Sequence, residues 1–223
     1  FTKVIQALQA RACAPKVLVI ENVCGLLTSH KGQDYVALMQ VLFDLGYRAG
    51  ALEIDARFFV PQSRPRVFII ACTYDYHVPA LLHTSYPAHS PFTSTAIVKA
   101  WQNLPEDLRQ NYVWWTLPTP PSLVMTLNDV IDATDRNWWP EAKTQALVNS
   151  FSSKNRAKLA ALQATGTPHL GAIYRRTRIK NGIARPVAEV RFDGLAGCLR
   201  TPSGGSSRQF LLFVQADQLR ARA

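Results

Sequence analysis

The sequence predicts an α/β fold whose sheet ends in an antiparallel hairpin, on three observations. Residues 16–21 form a short apolar run rich in β-branched side chains, which is typical of a buried parallel strand. Residues 34–45 carry apolar side chains at helical spacing and end at Gly46, a helix stop. The strand-like segments 48–57 and 66–71 lie too close together for a crossover helix, so we expect them to pair antiparallel.

Together these elements predict a mostly parallel sheet that ends in one antiparallel hairpin. That arrangement is expected of the second half of a nucleoside-binding α/β domain. After residue 72 the regular spacing of apolar residues is largely absent, and seven of the 14 prolines fall between Pro79 and Pro121. The other expected elements are helices over 1–13, 95–103 and 141–165, a helical turn from Thr126, and strands over 172–178, 186–192 and 210–214.

Composition argues against several classes of protein. No apolar run approaches the roughly 18 residues that a membrane helix needs, and the first residues do not resemble a signal peptide. The four cysteines show no C-x-x-C spacing, which argues against a zinc site or a disulfide framework and favours reduced, cytoplasmic thiols. Because the chain starts without Met, we expect it to begin inside a longer protein or to be an excised piece.

Positive charge is concentrated in the last third of the chain. The net charge is +10, and residues 151–223 hold 13 lysines and arginines against 3 aspartates and glutamates. A basic block of this kind suits a polyanion such as nucleic acid. The alternative is a solvated basic face without a partner.

The first candidate site is the motif Glu21-Asn22-Val23 at the end of the predicted strand. In open α/β sheets, ligands bind outside the carboxyl ends of the strands, where a carboxylate can face a substrate without disturbing the core. The alternative is that Glu21 caps the next turn.

The second candidate site is the motif Gln62-Ser-Arg64-Pro-Arg66, just before the last strand of the hairpin. Residues two apart in an extended segment point the same way, so Arg64 and Arg66 would form a fork for a phosphate or a carbonyl oxygen. The alternative is a salt-bridged turn.

The third candidate site is the tail from Arg185 to Val214, together with the basic segment from Tyr174 to Lys180 upstream of it. Hydroxyl groups, close backbone approach at glycine and guanidinium groups all suit contact with DNA, whereas the alternative is a hydrophilic hairpin tip. The candidate contacts are Arg175, Arg176, Arg178, Arg200, Thr201, Ser203, Gly204, Gly205 and Arg208.

Residues 17–72 resemble the DNA (cytosine-5) methyltransferases. They contain that family's Glu-Asn-Val and Gln-x-Arg-x-Arg motifs in the same order and about 40 residues apart, and LRTPSGGSSRQFLLFV resembles the end of its target-recognition domain. The resemblance implies the second half of a Rossmann-like sheet of an S-adenosylmethionine-dependent methyltransferase, over residues 1–72. It also implies a smaller mixed or β target-recognition domain over residues 73–223, incomplete at its C-terminal end.

The resemblance also implies roles for individual residues. Enzymes of this family flip a cytosine out of the duplex, attack C6 with a cysteine thiolate and methylate C5 from S-adenosylmethionine. Glu21 would hold the N3 and amino edge of the base, and Arg66 would lie near O2. Arg64 and Gln62 would support that arrangement or contact the DNA backbone, while Asn22 would order the loop.

Parts of the family pattern are not in this sequence. No cysteine follows a proline, as the family's nucleophile does, and we expect Cys24 to be a small buried or loop residue. The glycine-rich cofactor loop and the two C-terminal motifs are also missing. The sequence therefore predicts the central portion of such an enzyme, with the main S-adenosylmethionine motifs outside this chain, and predicts that the chain alone is inactive.

The expected partners are double-stranded DNA and either the missing N- and C-terminal portions of the same enzyme or a complementary subunit, with no membrane. A cytoplasmic, nucleoid-associated place in a prokaryotic cell follows from the resemblance. Two alternatives remain open: a non-catalytic DNA-binding subunit or degenerate copy of such an enzyme, and an unrelated basic α/β protein that binds RNA.

Overall fold

The chain divides into two compact units. A computed structural model describes residues 1–87, 89–120, 122, 125–132, 134–180, 182–199, 208–216 and 218–223. The first unit consists of Phe1–Asp55 and Pro65–Pro121, and the second consists of Ala56–Arg64 and Ser122–Ala223. Each unit has its own cluster of buried apolar side chains.

The predicted domain boundary after residue 72 differs from the division between these units. Residues of the proline-rich stretch, among them Ile97, Leu104 and Trp114, are buried in the same cluster as the core of the first unit. Sequence periodicity did not reveal this packing, because the segment contributes isolated apolar side chains rather than a long regular element. The assignment of functions to the two domains stays a prediction.

The first unit alternates helices and strands. Its elements are α1 (Thr2–Ala10), β1 (Val17–Val23), α2 (Gln33–Asp44), β2 (Tyr47–Asp55), β3 (Pro65–Thr73), β4 (His83–Thr84), α3 (Thr95–Gln102), α4 (Glu106–Gln110) and β5 (Trp114–Trp115). The helices and strands predicted from periodicity up to residue 103 are all present, with bounds that differ by a few residues. The short strands β4 and β5 and the helix α4 were not predicted.

The three-stranded sheet of the first unit has the order β1-β3-β2, and both pairings are antiparallel, while β4 and β5 form a separate two-stranded sheet. The predicted antiparallel hairpin of β2 and β3 is confirmed. The prediction of a mostly parallel sheet is wrong for the described strands, because β3 returns between β1 and β2, which run in the same direction.

Strand β1 lies at the edge of this sheet. Leu18 is buried, whereas Val19 is 64% exposed and Val23 is 54% exposed. The prediction that residues 16–21 form a buried parallel strand is therefore wrong in this structure, because β1 has a single described neighbour and one of its faces meets solvent. An exposed apolar edge of this kind favours association with further strands.

The first unit is packed tightly where β2 passes residues 112–113. Val113 donates its N–H to the carbonyl of Ala49 at 3.0 Å, and the Tyr112 hydroxyl accepts from the N–H of Ala51 at 2.9 Å. A Cβ at Gly50 would lie 1.7 Å from the Val113 carbonyl oxygen, so only glycine allows this approach.

The second unit combines helices with an antiparallel sheet. Its elements are α5 (Leu127–Val130), α6 (Glu141–Asn149), α7 (Ser153–Ala164), β6 (His169–Lys180), β7 (Ile183–Arg191), β8 (Gln209–Gln215) and β9 (Gln218–Arg222). The sheet order is β7-β6-β8-β9. The predicted helix over 141–165 is two helices, because Ser152 begins α7 by accepting a hydrogen bond from the N–H of Asn155.

Strand β9 was not predicted, and the reason lies in its buried charge. Arg222 is only 4% exposed, forms an ion pair with Asp135 at 3.0 Å and donates to the carbonyl of Asp132 at 2.8 Å. From sequence, an arginine in a short alternating segment is expected to be exposed at the surface. Here the charge of Arg222 is instead compensated by partners about 90 residues away in the chain. No helix in the described part of the chain combines the length and apolar character needed to cross a bilayer.

Candidate functional site

The ion pair between Glu21 and Arg66 is the centre of the candidate site in the first unit. In the β1–β3 register Val23 lies opposite Arg66 and Glu21 lies opposite Phe68, so Glu21 and Arg66 are diagonal neighbours on one face. Nε of Arg66 lies 2.8 Å from Oε1 of Glu21. The Glu21 side chain is 49% exposed and the Arg66 side chain 17%, so the carboxylate is held by a mostly buried cation but remains reachable.

The Asn22 side chain forms a hydrogen bond with the backbone of the next residue. Its Oδ1 accepts a hydrogen bond from the N–H of Val23 at 2.8 Å. Since neighbouring side chains in a strand point to opposite faces, Asn22 lies on the other face from Glu21. Its contact shapes the exit of β1 and supports the expectation that Asn22 orders the loop.

Cys24 follows β1 directly and carries a thiol that resists ionisation. Burial raises its pKa, and the nearby negative charge of Glu53 raises it further, while Arg66 acts in the opposite direction. A thiol held in its neutral form is a weak nucleophile. The structure therefore supports the expectation that Cys24 is a packing or loop residue.

The Gln-x-Arg-x-Arg motif is divided between the two units. Arg66 belongs to the first unit, whereas Gln62 and Arg64 belong to the second. Nη1 of Arg64 donates to the carbonyl of Leu199 at 3.1 Å and lies 3.2 Å from the sulfur of Cys198. Arg64 and Arg66 therefore contact different groups, although an extended segment would place them on the same side.

Gln62 also contacts the segment that contains Leu199. It forms an isolated parallel bridge with Ala196, whose carbonyl accepts from the N–H of Ser63 at 2.9 Å and whose own N–H donates to the carbonyl of Pro61 at 2.8 Å. This segment runs directly into the predicted glycine-containing DNA contacts. Those contacts, Arg200, Thr201, Ser203, Gly204 and Gly205, lie outside the described residues.

The predicted basic contacts Arg175, Arg176 and Arg178 lie on a ribbon at the end of the second sheet. Among the described residues, strand β6 pairs with β8 from His169 to Tyr174, and its pairing with β7 continues to Lys180. We call residues 175–180 and 183–187 the distal ribbon. All three arginines are exposed, and so is Arg208, just before β8.

The two faces of the distal ribbon differ in charge balance. Arg176 and Arg178 share one face and both form ion pairs with Glu189, at 3.7 Å for Arg176. Arg175 points to the other face, where its guanidinium carbon lies 5.2 Å from the Phe210 ring centroid. One carboxylate thus offsets part of the positive charge on one face only.

Glu189 stays ionised because its partners outweigh its burial. Burial alone would raise its pKa, but hydrogen bonds from the Tyr174 hydroxyl and from Arg178, together with the charge of Arg176, hold the pKa below its usual value. The carboxylate therefore carries its full negative charge at neutral pH.

Comparison with known proteins identifies the family. The C-5 cytosine-specific DNA methylase family matches residues 1–180. The chain belongs to this family.

Individual methylases are similar to it over shorter stretches. The orphan methyltransferase M.SPBetaI of Bacillus phage SPbeta is 39% identical over 70 residues, which cover 31% of this chain and 16% of the relative. The orphan methyltransferase M.SPRI of Bacillus phage SPR is 25% identical over 156 residues, covering 68% of this chain and 34% of the relative. The type II methyltransferase M.Eco47II of Escherichia coli is 26% identical over 138 residues, covering 47% and 33%. This methylase chain thus spans about a third or less of the length of these relatives.

Sequence reasoning missed three carboxylates around the candidate sites of the methylase chain. Glu53 and Asp55 alternate at the end of β2 and act on Cys24 electrostatically, and Glu53 accepts a hydrogen bond from Ser94 at 2.6 Å. Glu189 balances the distal ribbon. The Glu-x-Asp spacing at a strand end could have identified Glu53 and Asp55 from the sequence. The role of Glu189 could not be identified in this way, because it depends on the β6–β7 register. Among the described residues, no group of three or more His, Cys, Asp or Glu side chains is placed to hold a metal ion.

Proposed function

We propose that this methylase chain supplies the target-base and DNA contacts of a DNA (cytosine-5) methyltransferase. The whole enzyme would flip cytosine out of duplex DNA and methylate its C5, while the nucleophile lies outside this chain. The observation that carries the proposal is the half-exposed Glu21 carboxylate, paired with Arg66 at the end of β1 in a chain of this family. We assign the Rossmann-like half sheet to the first unit and target recognition to the second.

Glu21 acts on the Watson–Crick edge of the flipped base in this proposal. A proton shared between its carboxyl group and N3 withdraws electrons from the ring, which makes C6 more open to attack by a thiolate. The other contact of the carboxyl group is with the exocyclic amine, which identifies cytosine. Arg66 keeps the carboxyl group oriented through the 2.8 Å ion pair and contributes positive charge beside the base.

S-adenosylmethionine would supply the methyl group in this reaction. The first unit contains a cavity of about 440 Å³ whose lining includes Arg48, Trp101 and Arg109 but no carboxylate. It does not fit the cofactor, because the ribose hydroxyls of such a nucleoside are usually held by an acidic side chain. We therefore propose that the main cofactor motifs lie in other segments of the enzyme. The enzyme itself would be prokaryotic and associated with the nucleoid.

A reconstitution experiment tests this function. The chain is mixed with segments that carry a Pro-Cys motif, a glycine-rich cofactor loop and the C-terminal family motifs, and transfer of a labelled methyl group to duplex DNA is measured. We expect transfer only from the mixture. Transfer by the chain alone would contradict the proposed division, and DNA binding without transfer by any mixture would indicate a non-catalytic subunit.

The DNA-binding part of the proposal rests on the arginines of the distal ribbon. Arg175, Arg176 and Arg178 are exposed on the paired strands β6 and β7, where they can reach phosphates without leaving a buried charge behind. Phosphate contacts release bound counterions, so binding should weaken steeply as salt rises.

Removing the carboxylate of Glu189 should strengthen DNA binding. Glu189→Gln keeps an acceptor for Tyr174 but frees Arg176 and Arg178, so we expect duplex affinity to rise about two- to fivefold and its salt dependence to steepen. Arg175→Ala should act in the opposite direction and lower the salt slope by about 1. Fluorescence anisotropy with labelled duplex over a salt series measures both.

The controls remove the same charges elsewhere. The control variants are Glu141→Gln and Lys154→Ala. Both residues are exposed on helices and lie outside the distal ribbon. If Glu141→Gln strengthened binding as much as Glu189→Gln, the effect would reflect net charge alone, and the role given to the distal ribbon would be wrong.

A further inference from the structure

The cavity of about 440 Å³ in the first unit is large enough for a small organic molecule. Its lining comes from β2, α3, α4 and the short strands β4 and β5. Neither Glu21 nor Arg66 belongs to this lining, so the cavity is separate from the candidate site described above. We call it the arginine cavity, after its lining residues Arg48 and Arg109.

Three buried N–H groups of residues that line the arginine cavity have no hydrogen-bond partner in the described part of the chain. They are Nε of Arg48, Nε of Arg109 and Nε1 of Trp101. Buried polar groups in folded proteins are nearly always hydrogen-bonded, so each exception calls for an explanation. Three unpartnered donors around one cavity, with no acceptor-only group among them, indicate that the cavity takes a ligand rich in acceptors.

The charge of the lining indicates that this ligand is an anion. Arg48 donates through Nη2 to the carbonyl of Tyr76 at 2.9 Å, a neutral acceptor that leaves the positive charge uncompensated. Arg109 forms an ion pair with Glu106, but this carboxylate is exposed and does not line the cavity. None of the described lining residues carries a carboxylate. An oxyanion can accept two hydrogen bonds from one guanidinium group, which makes phosphate and carboxylate groups suitable ligands.

Aromatic side chains form another part of the lining. Trp101 packs edge-on against Trp114 with ring centroids 5.3 Å apart, and the Tyr112 ring centroid lies 4.7 Å from that of Trp114. A single phosphate or carboxylate group would occupy only a small part of the 440 Å³. The space beside these rings suits a flat, apolar body attached to the anionic group.

We propose that the arginine cavity binds a small aromatic oxyanion, whose phosphate or carboxylate group contacts Arg48 and Arg109 and whose ring lies against Trp101. Small rotations of these side chains bring the buried N–H groups to face the ligand. Such binding requires neither duplex DNA nor methyl transfer, so the site goes beyond the proposed function.

Two other ligands suit the arginine cavity less well. The unpartnered donors are buried, and a phosphate in the backbone of duplex DNA cannot follow them below the protein surface as a small molecule can. S-adenosylmethionine carries a sulfonium and an ammonium group, which would meet two guanidinium groups in a lining without a carboxylate.

Calorimetric titration of the full chain with simple probes tests this site. Phenyl phosphate and benzoate represent the two kinds of oxyanion, and at least one should bind with a dissociation constant on the order of 100 µM. Benzyl alcohol has the ring without the charge and should not bind detectably. Inorganic phosphate and acetate lack the ring and should bind at least about tenfold more weakly than their aromatic counterparts.

Substitutions assign the binding to the arginine cavity. Arg48→Gln and Arg109→Gln should each weaken it about tenfold or more, because each removes a charged donor. Trp101→Phe keeps a ring but removes the indole N–H, and should weaken binding about threefold. The matched control is Arg11→Gln, at an exposed position of the same unit outside the lining, which should leave the affinity unchanged. Circular dichroism checks that each variant is folded, and if Arg48→Gln is not, Arg109→Gln alone decides.

The other outcomes would overturn the proposal in different ways. If neither aromatic oxyanion binds, the cavity holds only water. If binding persists in the arginine variants, the ligand lies elsewhere on the chain. Equal affinity for inorganic phosphate and phenyl phosphate would remove the aromatic part of the assignment. Displacement of the bound probe by duplex DNA or by S-adenosylmethionine would assign the cavity to that ligand instead.

Discussion

Glu21→Gln in the reconstituted methyltransferase should lower methyl transfer by about two to four orders of magnitude. Gln is nearly the same size and keeps a hydrogen-bond acceptor for Arg66, but it has no carboxyl proton to share with N3 of the base. Duplex affinity should change little, because Glu21 lies on the first unit and contributes no positive charge. Single-turnover transfer of a labelled methyl group and anisotropy-based binding measure the two quantities.

A matched control for this substitution is Glu106→Gln. Glu106 also forms an ion pair with an arginine, Arg109, at an exposed position on α4. It should leave methyl transfer unchanged. Normal methyl transfer by Glu21→Gln would show that the ion pair with Arg66 is only structural. An equal reduction of methyl transfer by Glu21→Gln and Glu106→Gln would lead to the same conclusion.

Gly50→Ala should destabilise the chain by about 3 kcal/mol, because it overpacks the close approach between β2 and Val113. The added Cβ would lie 1.7 Å from the Val113 carbonyl oxygen, which is backbone and cannot rotate away. Strand β2 or the segment that ends at β5 must therefore shift, at the expense of the Ala49–Val113 hydrogen bond. Urea unfolding followed by tryptophan fluorescence measures the loss.

Gly25→Ala is the control for this prediction. A Cβ at Gly25 would meet only the Val23 side chain, at an ordinary contact distance of 3.8 Å. We expect it to change the free energy of unfolding by less than about 1 kcal/mol. Similar values for the two variants would mean that the approach at Gly50 is not as tight as described.

Local patterns in the sequence were sufficient for most elements of the fold. The β2–β3 hairpin followed from two apolar segments too close for a crossover, and α2 followed from its apolar spacing and Gly46. The same reasoning failed for β9, because Arg222 is buried by an ion pair with Asp135 that no local pattern reveals.

The candidate site shows the same division between local and long-range information. The sequence placed Glu21 at a strand end and Arg66 before the last strand, but it did not show that they touch. That contact depends on the register in which β3 pairs with β1. The separation of Arg64 from Arg66 between two units, with Arg64 tied to Leu199, likewise rests on contacts between residues about 135 positions apart.

By itself, the sequence determined the identity of the chemical groups, the strand and helix segments that carry them, the concentration of positive charge in the last third and the resemblance to cytosine-5 methyltransferases. Only the tertiary structure decided that β3 lies between β1 and β2, that Glu21 pairs with Arg66 and that Glu189 offsets part of the charge of the distal ribbon. The physical reason is that side-chain periodicity reports the local backbone and the face on which a residue lies. Strand order and register are set by packing between distant segments, which the periodicity of either segment does not record.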